Sequence, residues 1–135
     1  MDLRGRVALV TGAGRRLGRA IALALGARGM QVAVHYNASA DGADETAAMI
    51  REAGGEARVL GADLTNARDC EQLVDAAAVA FGALDVVVNS AAVMVRTPVG
   101  EVTVEEWDDM FALNLRAPFF ITQRAAPHLA RARGI

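Results

Sequence analysis

The chain has 135 residues, 53% of them hydrophobic and 22% charged, with a formal net charge of −2. That size and balance describe one globular domain, residues 1–135, large enough to bury a core without staples. They exclude a disordered chain and give no electrostatic case for nucleic acid.

One cysteine, Cys70, excludes an intrachain disulfide and any CxxC metal pattern. His35 and His128 lack ligand spacing, so no metal site is expected. All 14 basic residues are arginines. The polypeptide alone therefore cannot run a mechanism that needs a catalytic lysine. No apolar run reaches membrane-spanning length, and the opening segment lacks a signal-peptide core, so no membrane partner and a cytoplasmic location are expected.

In chain order, Val7-Ala8-Leu9-Val10 reads as a buried strand, and Gly12-Ala13-Gly14 as the turn after it. Leu17, Ala20, Ile21, Ala24 and Leu25 recur at helical spacing up to Gly29. Val32-Ala33-Val34 is a second strand. A helix over Ala43 to Ala53 stops at Gly54-Gly55. A third strand covers Ala57 to Leu60, and Leu73, Ala76, Ala77, Ala80 and Phe81 mark a helix closed by Gly82. Val86-Val87-Val88 is a fourth strand, apolar on both faces. Thr103 with Glu106 forms a capping box for a fourth helix through Trp107, Phe111 and Leu115, which Pro118 is expected to bend. Trp107 and Phe111 read as core or interface packing.

Strands apolar on both faces belong to a parallel sheet covered on both sides. The alternation with helices predicts a doubly wound, Rossmann-type α/β fold with strand order 3-2-1-4. The fourth strand then lies at an edge, and an apolar edge invites pairing, so a homo-oligomer or pairing through that edge is expected.

The segment Thr11 to Gly18 lies where an open α/β sheet binds a dinucleotide pyrophosphate. Gly12 suits a tight turn, Gly14 a close approach to phosphate, and Gly18 helix packing on the sheet. Arg15 and Arg16 flank the phosphate position. The second strand ends in His35-Tyr36-Asn37 rather than a carboxylate. A carboxylate within about 4 Å of a 2′-phosphate costs on the order of 4 kcal/mol per charge pair at an effective dielectric near 20. Its absence beside two arginines favours NADP(H) over NAD(H).

Thr11-Gly12-Ala13 through Gly18, Asp63-Leu64, Asn89-Ser90-Ala91-Ala92 and Asn114 together resemble the short-chain dehydrogenase/reductase family. The resemblance spans the whole chain in the family's order. Arg16 replaces the middle glycine of the family's TGxxxGxG turn. With His35-Tyr36 this resembles the pteridine reductase branch, although Ala38 stands where that branch often has arginine.

The resemblance implies a set of roles. Gly12, Gly14, Arg15, Arg16, Leu17 and Gly18 hold the cofactor phosphates; His35, Tyr36, Asn37 and Ser39 grip the 2′-phosphate. Asp63 and the Leu64 backbone hold the adenine, Asn89, Ser90 and Ala91 line the cofactor, and Asn114 belongs to the proton relay. Met94 and Arg96 could line a substrate mouth. The family's serine, tyrosine and following lysine have no counterpart in this chain, whose one tyrosine is Tyr36. The expectation is the N-terminal half of an NADP(H)-dependent reductase of a small-molecule carbonyl or pteridine, inactive alone. The alternatives are a non-catalytic nucleotide-binding module and an interaction fragment completed by a second chain.

Overall fold

The computed structural model describes residues 2–135, with Met1 outside them. Four strands form one sheet: β1 (Val7–Val10), β2 (Gln31–Tyr36), β3 (Glu56–Gly61) and β4 (Val86–Val88). All pairings are parallel and the order is β3-β2-β1-β4, as expected from the apolar runs. The helices are α1 (Arg16–Gly26), α2 (Asp41–Glu52), α3 (Ala67–Phe81), α4 (Val104–Phe111) and α5 (Ala117–Ala132). No described helix is long and apolar enough to cross a membrane.

Alternation along β1 divides the core into two layers. Ala8 and Val10 face the side covered by α1 and α2, where they meet Ala22, Ala43, Ala47 and Ile50. Val7 and Leu9 face the side covered by α3 and α5, with Leu73, Val74, Ala77, Ile121 and Ala125. Both sides of the strand are dry, and all four of its residues are buried. Alanine dominates the helix faces, so helices approach the sheet closely and little aromatic volume is needed.

Helix ends follow local chemistry. The Thr103 hydroxyl accepts from Glu106 N–H, and the Glu106 carboxylate accepts from Thr103 N–H at 3.0 Å, completing the expected capping box. Asn66 caps α3, and Gly82 ends it in the left-handed region at φ 79°.

The expected single bend at Pro118 takes a different form. The helical run opens into a π segment over Ala112–Arg116 before α5 begins. Proline has no N–H to give the carbonyl four residues back, here Asn114, and its ring crowds that carbonyl. Widening the preceding turn relieves both problems, so Pro118 sits in the first turn of α5.

Trp107 and Phe111 are not core residues. They stack at 4.5 Å between ring centroids and remain 58% and 43% exposed. Leu115 and Phe119 continue this apolar stripe, at 62% and 60% exposed.

The edge of β4 is partly occupied. Ile135 N–H donates to the Asp85 carbonyl, and Val87 N–H donates to the Ile135 carbonyl, both at 2.8 Å. Ile135 thus lies beside β4 as a strand neighbour would. Arg6 fastens the same corner, donating from Nη1 to Asp85 at 2.8 Å and to the Ala132 carbonyl at 2.9 Å.

Candidate functional site

The C-terminal ends of β1, β2 and β4 meet at the turn from Thr11 to Arg15. Gly12 has φ 63°, and a side chain there would come within 2.9 Å of the Ala91 Cα. Both facts require glycine at this position. A Cβ on Gly18 would overlap the Gly12 carbonyl oxygen, so α1 can start this close to the turn only without one.

Thr11 ties the turn to the segment after β4. Its buried hydroxyl accepts from Ser90 N–H and Ala91 N–H, each at 3.0 Å. It also lies 3.3 Å from the Val88 carbonyl, to which it donates. Asn89, exposed beside it, donates to the Thr122 hydroxyl at 3.3 Å.

His35 is placed differently from the expected phosphate contact. It is 1% exposed and lies beneath the turn. Its Nε2 faces the Ala62 carbonyl at 3.0 Å, and a carbonyl only accepts, so Nε2 carries the proton. Nδ1 is then free to accept Gly12 N–H at 3.1 Å. Burial pushes the imidazole pKa below its ordinary 6.5, partly opposed by the Ala62 hydrogen bond. A ring used on two backbone groups has no surface left for a ligand. Tyr36 is half-buried with Gly61 against its ring, whereas Asn37 and Ser39 are exposed on the way to α2.

The start of α1 differs from those of α2, α3 and α4. Those three helices carry acids in their first turns, at Asp41 and Asp44, Asp69, and Glu105 and Glu106. Helix α1 has no acid there and no side-chain cap, and Arg15 stands at its N-cap. Cations at a helix N-terminus are unfavourable by about 0.3–1 kcal/mol each. Arg16 adds a left-handed backbone at φ 48°, which costs a non-glycine residue about 1 kcal/mol. Both arginines are exposed, and Leu17 beside them is 68% exposed. The N–H groups that open α1 thus have no side-chain cap, and the two residues at its start, Arg15 and Arg16, are both cationic and exposed.

The carbonyls of the turn face the other way. Arg19 donates to the Gly14 carbonyl, and the buried Thr46 hydroxyl lies between the Ala13 carbonyl at 3.0 Å and the Gly42 carbonyl at 2.8 Å. Sequence reading missed both residues. The available signal was Thr46 itself, a hydroxyl on the apolar face of α2 between Ala43, Ala47 and Ile50.

At the end of β3, Asp63 Oδ1 accepts from both Thr65 N–H and its hydroxyl, at 2.9 and 2.7 Å. These bonds hold the carboxyl below its usual range and keep it an acceptor. Leu64 is buried next to it. Asn114, in the π segment, accepts from Val93 N–H at 2.9 Å and donates to the Val93 carbonyl at 2.7 Å. It thereby pins the loop that follows β4. Met94 on that loop is 93% exposed.

A groove of about 730 Å³ lies elsewhere, lined by Asp108, Phe111, Leu115, Arg116 and Phe119. It offers no uncapped helix end and follows the exposed apolar stripe.

Fold and turn together define a doubly wound α/β protein with a tight glycine turn at its first crossover. The family model for short chain dehydrogenase matches residues 6–135, and the chain belongs to that family. It is 43% identical over 127 residues to the short chain dehydrogenase mdpC of Emericella nidulans, covering 94% of this chain and 48% of that protein. It is 45% identical over 128 residues to the hydroxynaphthalene reductase-like protein Arp2 of Metarhizium robertsii, covering 95% and 48%. Among solved structures, a short chain dehydrogenase of Burkholderia cenocepacia in complex with NADP aligns with TM-score 0.92 and 37% identity, covering 96% of this chain and 53% of that one. The chain spans about half the length of these relatives.

Proposed function

We propose that this chain forms the nucleotide-binding part of an NADP(H)-dependent oxidoreductase that reduces a carbonyl compound by hydride transfer. The observation that carries this reading is the start of α1: it has no side-chain cap and no acid in its first turn, and it opens on Arg15 and Arg16. Segment 37–40 after β2 carries no carboxylate, so it does not itself repel a 2′-phosphate. The NADP complex of the Burkholderia cenocepacia relative supports the same choice.

In this reading Gly14, Arg15, Arg16, Leu17 and Gly18 hold the phosphates, and Asn37 and Ser39 complete the 2′-phosphate grip. Tyr36 walls that pocket, and His35 acts from below by holding Gly12. Asp63 Oδ2, left over by the two Oδ1 bonds, accepts from the adenine amine, and Leu64 N–H meets the ring. Asn89, Ser90 and Ala91 form the far wall, fixed in place by Thr11. The cofactor supplies a hydride donor when bound. Asn114 keeps the loop at Val93 in register with the relay side of the site.

A Tyr-Lys proton-transfer pair would have to come from residues outside this sequence, which contains no lysine. The hydroxynaphthalene reductase-like relatives favour a hydroxynaphthalene-type ring compound as substrate class. A pteridine ring is the second reading, favoured by Arg16 with its left-handed backbone in place of glycine and by the His35-Tyr36 pair. The part of the β4 edge that Ile135 leaves unpaired and the exposed stripe of Trp107, Phe111, Leu115 and Phe119 support assembly with a second copy, and the proposed setting is cytoplasmic.

Calorimetric titration of the chain with NADPH and NADH tests the cofactor assignment. NADPH is expected to bind more tightly, and tighter binding of NADH would overturn the assignment.

A further inference from the structure

Arg19 and Thr46 face the glycine turn from the side opposite the proposed cofactor. Arg19 donates to the Gly14 carbonyl from Nε at 3.1 Å and from Nη2 at 2.7 Å. Nη2 also reaches the Gly42 carbonyl at 2.9 Å and Glu45 at 2.8 Å. The Thr46 hydroxyl accepts from Arg19 Nε at 3.0 Å and lies 3.0 Å from the Ala13 carbonyl and 2.8 Å from that of Gly42. Three carbonyls of two different elements thus converge on one guanidinium and one hydroxyl.

A trans peptide unit points its C=O and N–H in opposite directions. Drawing the Ala13 carbonyl toward α2 therefore aims Gly14 N–H away from α2. Drawing the Gly14 carbonyl the same way aims Arg15 N–H. Glycine at 14 leaves these planes free to rotate if nothing holds them. A rotated plane would present a carbonyl oxygen, rather than an N–H, to a phosphate.

The same two side chains grip Gly42 at the start of α2. The backbones touch there: a Cβ on Gly42 would lie 2.6 Å from the Gly14 oxygen. Segment 37–40 leads directly into this contact. The turn and the segment proposed for the 2′-phosphate are therefore held by one knot.

We propose that Arg19 and Thr46 are positioning residues for the cofactor phosphates. They fix the outward aim of Gly14 and Arg15 N–H and set the distance from the turn to segment 37–40. The role rests on the NADP(H) reading above and adds to it two residues that touch no ligand. A pair that only docked α2 would change stability and leave the ligand response of these amides unchanged.

The test titrates the 135-residue chain with NADPH by calorimetry and follows the Gly14 and Arg15 amide resonances. Thr46→Val removes the hydroxyl and keeps the shape; Thr46→Ser keeps the hydroxyl; Arg19→Gln removes the fork. Thr46→Val and Arg19→Gln are each expected to weaken NADPH about tenfold, and Thr46→Ser by no more than about twofold. Both amides shift on NADPH addition in the parent chain and in Thr46→Ser; Gly14 loses that shift in Thr46→Val, and Arg15 loses it in Arg19→Gln. Should Thr46→Val fail to fold, Arg19→Gln and Thr46→Ser carry the comparison. A folded variant that binds NADPH as the parent does, or that melts lower while its amides still shift, overturns the positioning role. A parent chain that takes up no NADPH overturns the cofactor reading itself, and this role with it.

Discussion

Gly12 N–H donates to Nδ1 of His35 at 3.1 Å, from a ring whose Nε2–H is committed to the Ala62 carbonyl. The glycine turn therefore rests on a neutral imidazole of one fixed tautomer. Protonation of Nδ1 would set two donors against each other.

This predicts a pH dependence of stability. Burial holds the folded His35 pKa below its ordinary 6.5. The unfolded chain takes up the proton first as pH falls, so this stability is complete above about pH 6.5 and declines below it, down to the lowered folded value. Asp63 and Asp75 have lowered pKa values and titrate below this window. Urea midpoints between pH 8 and 5 should fall with acid in the parent chain and flatten in His35→Asn. Equal slopes in the two would remove His35 from the account.

Much of the fold was legible because its signals are local or periodic. Strands such as Val7–Val10, apolar on both faces, announced a covered parallel sheet, and the order β3-β2-β1-β4 followed. The box of Thr103 and Glu106 needs only three residues of spacing. The π segment was not legible, since Pro118 announces a disturbance but not its form. His35 looked like a ligand residue because a strand end carries no mark of what lies beneath it. Arg19 and Thr46 are neighbours only once α2 packs on α1, and their spacing shows nothing of that. Trp107 and Phe111 have a helical stripe's pattern, which is the same for a core and for an exposed face.

Asp85 is the second fixed point of the sheet. It is 8% exposed and accepts from Arg6 Nη1 at 2.8 Å and from Val7 N–H at 2.9 Å. Asp85→Ala leaves a half-buried guanidinium and a buried backbone donor without their acceptor. The expected cost is about 2–3 kcal/mol, read by chemical denaturation. A cost near zero would mean that water replaces the carboxylate fully.

Gly18→Ala tests the packing of α1 on the turn. The added methyl would overlap the Gly12 oxygen and lie 3.1 Å from the Ala13 Cα. Backbone atoms cannot move aside cheaply, so a loss of about 2–4 kcal/mol and loss of nucleotide binding are expected together. A variant with unchanged melting temperature would show that the helix start is looser than described.

Asn114→Ala removes both bonds to Val93 from an exposed position. Global stability should fall by about 1 kcal/mol or less. Hydrogen exchange at Val93 should rise far more, because that amide loses its acceptor. Unchanged protection of Val93 would separate Asn114 from the loop.

The most direct test of the central claim compares binding of 2′,5′-ADP and 5′-AMP to this chain, before and after Arg15→Ala and Arg16→Ala are combined. The pair of ligands isolates the 2′-phosphate and needs no nicotinamide contact. The account predicts that 2′,5′-ADP binds at least about tenfold more tightly, and that the double variant removes most of this difference. Equal affinity of the parent chain for the two ligands would contradict it.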